Sequence, residues 1–200
     1  MSSLKTITKP RSPEKFDRWQ IGAEAIAHNR FWFFLLTALG STSNVVYTCT
    51  VPLVGFGVIA GSTLSRKKAV TMVMTMWLVN QIFGFTIHQY PLTFKTFVWG
   101  GVIGLGALLA TLFASLKSRF VASELKNHCL WLGIALIGGY VVYELTILLA
   151  TLFLGGLESF TLPILWSIFV GNAVWGIPLA LGHGFLMWQL IKKSSVKSIS

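Results

Sequence analysis

The sequence predicts an all-α integral membrane protein: a compact bundle of six transmembrane helices with both termini in the cytoplasm. Three observations support this fold class. The 200 residues are 54% hydrophobic and 11% charged, whereas soluble domains are roughly 25% charged. The apolar residues form runs of about 20, the length that crosses a bilayer. The 16 Lys and Arg residues, against six Asp and Glu, lie in short clusters between these runs, which is typical of a membrane protein and not of a nucleic-acid-binding surface.

The chain divides into two tails and one transmembrane domain. Residues 1–20 carry five basic residues and two prolines, and no apolar core of a signal peptide follows directly. We therefore expect a disordered cytoplasmic tail there. Residues 21–192 are predicted to form the six-helix domain, and residues 193–200 a second cytoplasmic tail.

Four of the six spans follow directly from hydropathy, at residues 68–87, 96–115, 128–154 and 160–191. Residues 21–64 form either one long helix or two, because polar residues 40–44 and Pro52 interrupt the apolar run. Charge favours two helices: six spans place 15 of the 16 basic residues on the cytoplasmic side and only Lys95 outside. The first helix would then cover about residues 23–40. Alternatively, the polar residues at the start of this helix form a separate helix that lies in the membrane interface.

Polar and aromatic side chains concentrate in the predicted outer half of the bundle. Such groups are costly inside a bilayer and usually face the bundle interior or a cavity. Glu144 is the only carboxylate deep within a predicted span. We therefore predict a cavity that opens outward and binds a small-molecule substrate. Its candidate residues are Tyr47, Asn80, Gln81, His88, Tyr90, Tyr143, Glu144 and Asn172.

Within this set, Glu144, Asn80, Gln81 and Tyr143 are expected to form the walls, with His88 and Tyr90 near the mouth. Two alternatives remain open. In the first alternative, the side chains of Asn80, Gln81 and Asn172 form hydrogen bonds between helices and bind no ligand. In the second, Glu144 pairs with a structural partner such as Asn80 or His88.

No catalytic motif and no metal site are predicted, so we do not expect an enzyme. His88 and Cys49 are the two side chains that we keep as possible metal ligands, because His28, His128 and His183 form no spaced set with other ligands. The GxxxxGK[ST] loop that binds nucleotide phosphates does not occur in the 200 residues. Energy for transport would therefore come from a partner.

Three stretches carry a resemblance to a known family: TVPLVGFGVIAGSTLSRKKA, WLVNQIFGFTIHQYP and WGGVIGLGALLA. With the predicted size and helix count, they are similar to the S-components, the substrate-binding subunits of energy-coupling-factor vitamin transporters, and among these to the cobalamin-type branch. The resemblance implies uptake of a vitamin from outside by a subunit of the bacterial inner (plasma) membrane that has no ATPase of its own. It also implies that the subunit topples against a transmembrane coupling subunit driven by two cytoplasmic ATPases.

The same resemblance bears on individual residues. Ala23 and Ala27, four apart on the first helix, match the small residues that contact the coupling subunit in that family. Some cobalamin-type members use a cysteine of the third helix as a cobalt ligand, but residues 69–87 contain none. Cobalamin is therefore one possible transported ligand, with His88 or Cys49 as substitute ligands for cobalt. The competing hypothesis is a structural or assembly protein of the membrane that transports nothing.

Overall fold

The computed structural model describes residues 22–47, 51–116 and 125–197. Within these ranges the chain forms helices and no strand. After a short helical segment at residues 22–27, six longer helices follow. They are α1 (Arg30–Val46), α2 (Leu53–Thr63), α3 (Arg66–Thr86), α4 (Phe94–Ala114), α5 (Leu125–Leu154) and α6 (Leu162–Lys197), with a 3₁₀ turn at Leu157–Ser159 before α6.

In the part of the chain that the structure describes, four helices are long and apolar enough to cross a membrane: α3, α4, most of α5 and most of α6. Their bounds lie within a few residues of the four spans that hydropathy predicts, except that α6 continues to Lys197, into the predicted second tail. The outward faces of α5 and α6 expose large apolar side chains, among them Ile137, Leu149 and Leu181. A chain with these helices and faces is suited to a lipid environment.

The first predicted helix differs from the structure at both of its ends. The helix is interrupted at residues 28–29. The next helix, α1, begins at Arg30 because the Asn29 side chain caps it by accepting a hydrogen bond from the Phe31 amide at 2.7 Å. At its other end α1 runs through the polar stretch that we expected to interrupt it. Ser43 and Asn44 donate to carbonyl oxygens of their own helix, so their polar groups are satisfied without a turn.

The short helix α2 lies at the centre of the bundle and contacts all five other helices. All of its 11 residues are buried, and at about 1.5 Å per residue it rises only about 16 Å. The close approach of α2 to its neighbouring helices depends on the glycines of α2. A Cβ at Gly55 would lie 2.5 Å from the Asn172 carbonyl oxygen, and one at Gly57 would lie 2.5 Å from Thr111 Oγ1.

The two ends of the bundle differ in character. At the basic end, which carries Arg66, Lys67 and Lys68, the Lys68 ammonium donates to the His28 carbonyl oxygen at 2.7 Å. The opposite end carries the connection between α3 and α4 and the turn before α6, where Gly155 and Gly156 adopt positive φ. We call this second end the cavity end.

Candidate functional site

A partly open cavity of about 120 Å³ lies at the cavity end. Gln81 stands five residues before the end of α3 and Gly100 six residues after the start of α4, which puts both about 8–9 Å from those helix ends. The cavity therefore reaches about one and a half helical turns below the ends of α3 and α4. Its wall consists of Val51, Leu53, Asn80, Gln81, Tyr90, Thr96, Trp99, Gly100, Ile103 and Tyr143.

The structure brings four of the eight predicted substrate-binding residues together around this cavity: Asn80, Gln81, Tyr90 and Tyr143. They come from α3, from the segment that follows it and from α5. The other four do not belong to its wall. That any of these residues binds a ligand stays a prediction.

A chain of side-chain amides fixes the orientation of Gln81. Asn44 Nδ2 donates to the carbonyl oxygen of Ser41 at 3.0 Å, which directs Asn44 Oδ1 away from its own helix. That oxygen accepts from Asn80 Nδ2 at 2.9 Å, and Asn80 Oδ1 accepts from Gln81 Nε2 at 3.1 Å. Because each amide offers one acceptor and one donor group, the chain holds Gln81 with its Oε1 directed at α4.

Three of the lining side chains lie against glycines. A Cβ at Gly100 would overlap Gln81 Oε1, one at Gly84 would lie 2.7 Å from the Tyr90 ring, and one at Gly106 would lie 2.9 Å from the Tyr143 ring. Any larger residue at these positions would displace the side chain opposite. The glycines therefore help to set the shape of the cavity.

Asn172 and Tyr47 make contacts between helices instead. Asn172, 3% exposed, accepts from the Gly55 backbone amide at 2.8 Å and so joins α6 to the first turn of α2. Tyr47 accepts from Trp175 Nε1 at 3.2 Å. For Asn172 the structure agrees with the alternative that we left open, bonding between helices.

Glu144 follows Tyr143 in α5 but lies outside the cavity wall. Tyr140 lies one turn earlier in α5 and is close enough to interact with Glu144, but its hydroxyl donates to the Leu165 carbonyl oxygen of α6 at 2.6 Å. Glu144 Oε1 is buried and accepts no hydrogen bond from the described residues. The expected single cavity with Glu144 in its wall is therefore not what the structure shows.

His88 lies beside Tyr90, with the ring centroids 6.0 Å apart, and it is not part of the wall. Cys49, the other side chain considered as a cobalt ligand, lies outside the described residues. Within the described ranges, no group of three or more His, Cys, Asp or Glu side chains is placed to hold a metal ion.

Ala23 and Ala27 are both half-buried in the segment that precedes α1. Ala23 packs against the hydrophobic core, which is the internal packing that small residues often serve. The Ala27 carbonyl oxygen accepts from the Ser65 amide at 3.2 Å. That either residue contacts a partner stays a prediction.

Two buried histidines form a pair that the sequence did not indicate. His128 Nε2 and His183 Nδ1 lie 3.2 Å apart, each residue is 2% exposed, and the Trp32 ring lies 5.6 Å from that of His183. The two histidines are 55 positions apart in the sequence. The pairing could not be predicted, since spacing indicates that side chains are neighbours only within one or two turns of a helix.

Sequence reasoning also missed part of the cavity. Asn44, which orients Asn80 at the cavity, was interpreted only as part of an interruption. Thr96 and Ile103, in the wall itself, gave no signal of their own. The i, i+4 spacing of Thr96 and Gly100, with Trp99 between them, places them on one side of α4, but only the position of α3 shows that this side faces a cavity.

Comparison with known proteins does not assign the chain to a family: it matches no protein-family model, no curated protein and no solved structure.

Proposed function

We propose that the protein is a membrane subunit that binds a small organic solute in this cavity for uptake, as the S-components of vitamin transporters do. The observation that carries the proposal is the wall of the cavity. Aromatic rings and uncharged polar groups converge there from separate helices, and the amide of Gln81 is held in one orientation by Asn80. Binding sites for small molecules combine mostly apolar walls with a few fixed polar groups in this way.

The translocation step would depend on other proteins, namely a transmembrane coupling subunit and cytoplasmic ATPases. This part of the proposal rests on the sequence resemblance and on the lack of a phosphate-binding loop in these 200 residues. The same resemblance supports six spans in a bacterial inner membrane. The clustered basic residues favour both termini on the cytoplasmic side, with the cavity end outward.

Cobalamin is the less favoured ligand within this proposal. A corrinoid macrocycle contains four joined rings, whereas the cavity measures about 120 Å³. An apolar cavity of about 150 Å³ holds one benzene ring. The cavity would therefore enclose only a small part of a corrinoid, whereas it would enclose most of a single ring.

The second candidate function is a structural or assembly role in the membrane. The bonds from Asn44 to Asn80 and from Asn172 to Gly55 favour it, because each joins two helices. Hydrogen bonds between helices stabilise membrane bundles by roughly 0.6–2 kcal/mol each. In that case the polar groups need no ligand.

Two neighbouring glycines offer a matched test. A Cβ at Gly100 would overlap Gln81 Oε1, so Gly100→Ala should push the amide into the cavity. Gly101 has no atom within 4 Å of such a Cβ, so Gly101→Ala makes the same chemical change on the outer face of α4. Displacing the Gln81 amide removes a hydrogen bond to the ligand that is worth roughly 1–3 kcal/mol, which predicts at least about a fivefold loss of affinity in the first variant only.

The measurement is the amount of small molecule that copurifies with the full-length protein in lipid nanodiscs, determined by mass spectrometry. Wild type and Gly101→Ala should retain one ligand in near-stoichiometric amount, and Gly100→Ala should lose most of it. If wild-type protein made in its native membrane carries no small molecule, the structural role is favoured. Equal retention by both variants would place the ligand elsewhere in the molecule.

A further inference from the structure

We infer that the cavity selects one chemical class of ligand: a single uncharged ring that carries an amide edge, such as a ring carboxamide or a cyclic amide. The inference rests on the proposed function and adds the class of substrate to it. Three features of the cavity lead to this class, namely its size, the lack of charge in its wall, and the pattern of hydrogen-bonding groups that it offers.

Size limits the ligand to about one ring. The enclosed volume of about 120 Å³ is below the roughly 150 Å³ of an apolar cavity that holds benzene, so only part of a substituted ring is enclosed and the remainder extends through the open side of the cavity. The rings of Trp99, Tyr90 and Tyr143 supply flat walls, against which an aromatic or planar ring packs with its face or its edge. A planar ring therefore fits better than a branched chain of the same volume.

Charge is excluded by the chemistry of the wall. Its polar members are the amides of Asn80 and Gln81 and the hydroxyls of Thr96, Tyr90 and Tyr143, and no Asp, Glu, Lys, Arg or His occurs among the described residues that line it. A charged group that leaves water without an opposite charge loses far more hydration free energy than such neutral groups return. A carboxylate or ammonium on the ligand would therefore oppose binding.

The hydrogen-bonding pattern is complementary to an amide. Gln81 Nε2 has two protons and uses one on Asn80 Oδ1, while Gln81 Oε1 and the Tyr143 hydroxyl make no hydrogen bond to the described residues. Gln81 therefore has one amide proton and one carbonyl oxygen that no hydrogen bond to the described residues uses. A ligand edge with an N–H next to a C=O satisfies both at once, whereas a ketone satisfies only the donor.

The test uses three probes with nine heavy atoms each: benzamide, acetophenone and benzoate. They share the ring and the carbonyl and differ only in the group beside it, which is an amine, a methyl or an anionic oxygen. Binding is measured by ligand-observed NMR titration of the full-length protein in nanodiscs, with empty nanodiscs as the baseline for partition into lipid. Probes of this size bind proteins in about the millimolar range.

Benzamide should bind saturably, acetophenone about fivefold more weakly, and benzoate at least tenfold more weakly. Gly100→Ala should weaken benzamide binding at least fivefold, and Gly101→Ala should not. The inference is overturned if benzoate or acetophenone binds as well as benzamide, if benzamide shows no saturable binding, or if Gly100→Ala leaves its affinity unchanged. A natural ligand that copurifies in spite of such a result would keep the proposed function and discard only this ligand class.

Discussion

Replacing Asn172 with Ala separates a packing role from a ligand-binding role. The wild-type side chain accepts from the Gly55 amide at 2.8 Å and donates to the Ile168 carbonyl oxygen at 2.9 Å. Truncation leaves the buried Gly55 N–H without this acceptor, at a cost of about 1–3 kcal/mol. The Ile168 oxygen keeps its bond within the helix, so losing the second contact adds little. We expect Asn172→Ala to lower the free energy of unfolding by about 1–3 kcal/mol.

The assay is reversible unfolding in detergent micelles, followed by circular dichroism. Thr71→Ala is the control, since the Thr71 hydroxyl is exposed and bonds only the Lys67 carbonyl oxygen of its own helix at 3.0 Å. Surface substitutions of this kind usually change stability by less than about 0.5 kcal/mol. The comparison therefore isolates the effect of the buried bond between α6 and α2.

Ligand affinity supplies the second half of the test. Because Asn172 lies outside the cavity wall, the folded fraction of Asn172→Ala should bind ligand as wild type does, within about a factor of two. Unchanged stability together with a large loss of affinity would refute this reasoning. It would restore the interpretation drawn from the sequence, in which Asn172 contacts the substrate.

Two further predictions concern topology and assembly. In a cysteine-free background, Lys67→Cys at the basic end should resist a reagent added from outside, and Glu158→Cys at the cavity end should react; the reverse would invert the proposed orientation. Ala27→Leu should weaken copurification of a coupling subunit and leave ligand binding intact, because a larger side chain blocks close helix approach, while Ala25→Leu on the exposed side should change neither. Normal assembly of Ala27→Leu would assign that residue to internal packing.

The long helices were predictable because each needs only a local signal. An apolar run of about 20 residues is sufficient to predict a membrane-spanning helix. Both bounds of α3 and of α4 lie within two residues of the predicted limits. The stretch from residue 21 to residue 64 was harder, since the same polar residues are compatible with a turn or with a helix. Ser43 and Asn44 decide for a helix only because their side chains reach backbone carbonyl oxygens within it.

The candidate site was predictable only in part, for a similar reason. Depth along each helix correctly suggested that Asn80, Gln81 and Tyr143 lie at one level. Depth does not say which way a side chain points, and it therefore grouped Glu144 with residues from which the structure separates it. The rotation of α5 about its own axis decides that difference. With no sharp polar face among its 30 residues, the sequence does not specify this rotation.

The length of α2 accounts for the position of the cavity. The hydrocarbon core of a bilayer is about 30 Å thick, and the 11 residues of α2 cover only about 16 Å of it. Leu53 begins α2 and Val51 precedes it, and both belong to the cavity wall. The cavity thus lies where the central helix begins, between longer helices that continue past it. A full-length helix at this position would occupy the same space, so the short, glycine-rich α2 both packs the centre of the bundle and leaves room for a ligand.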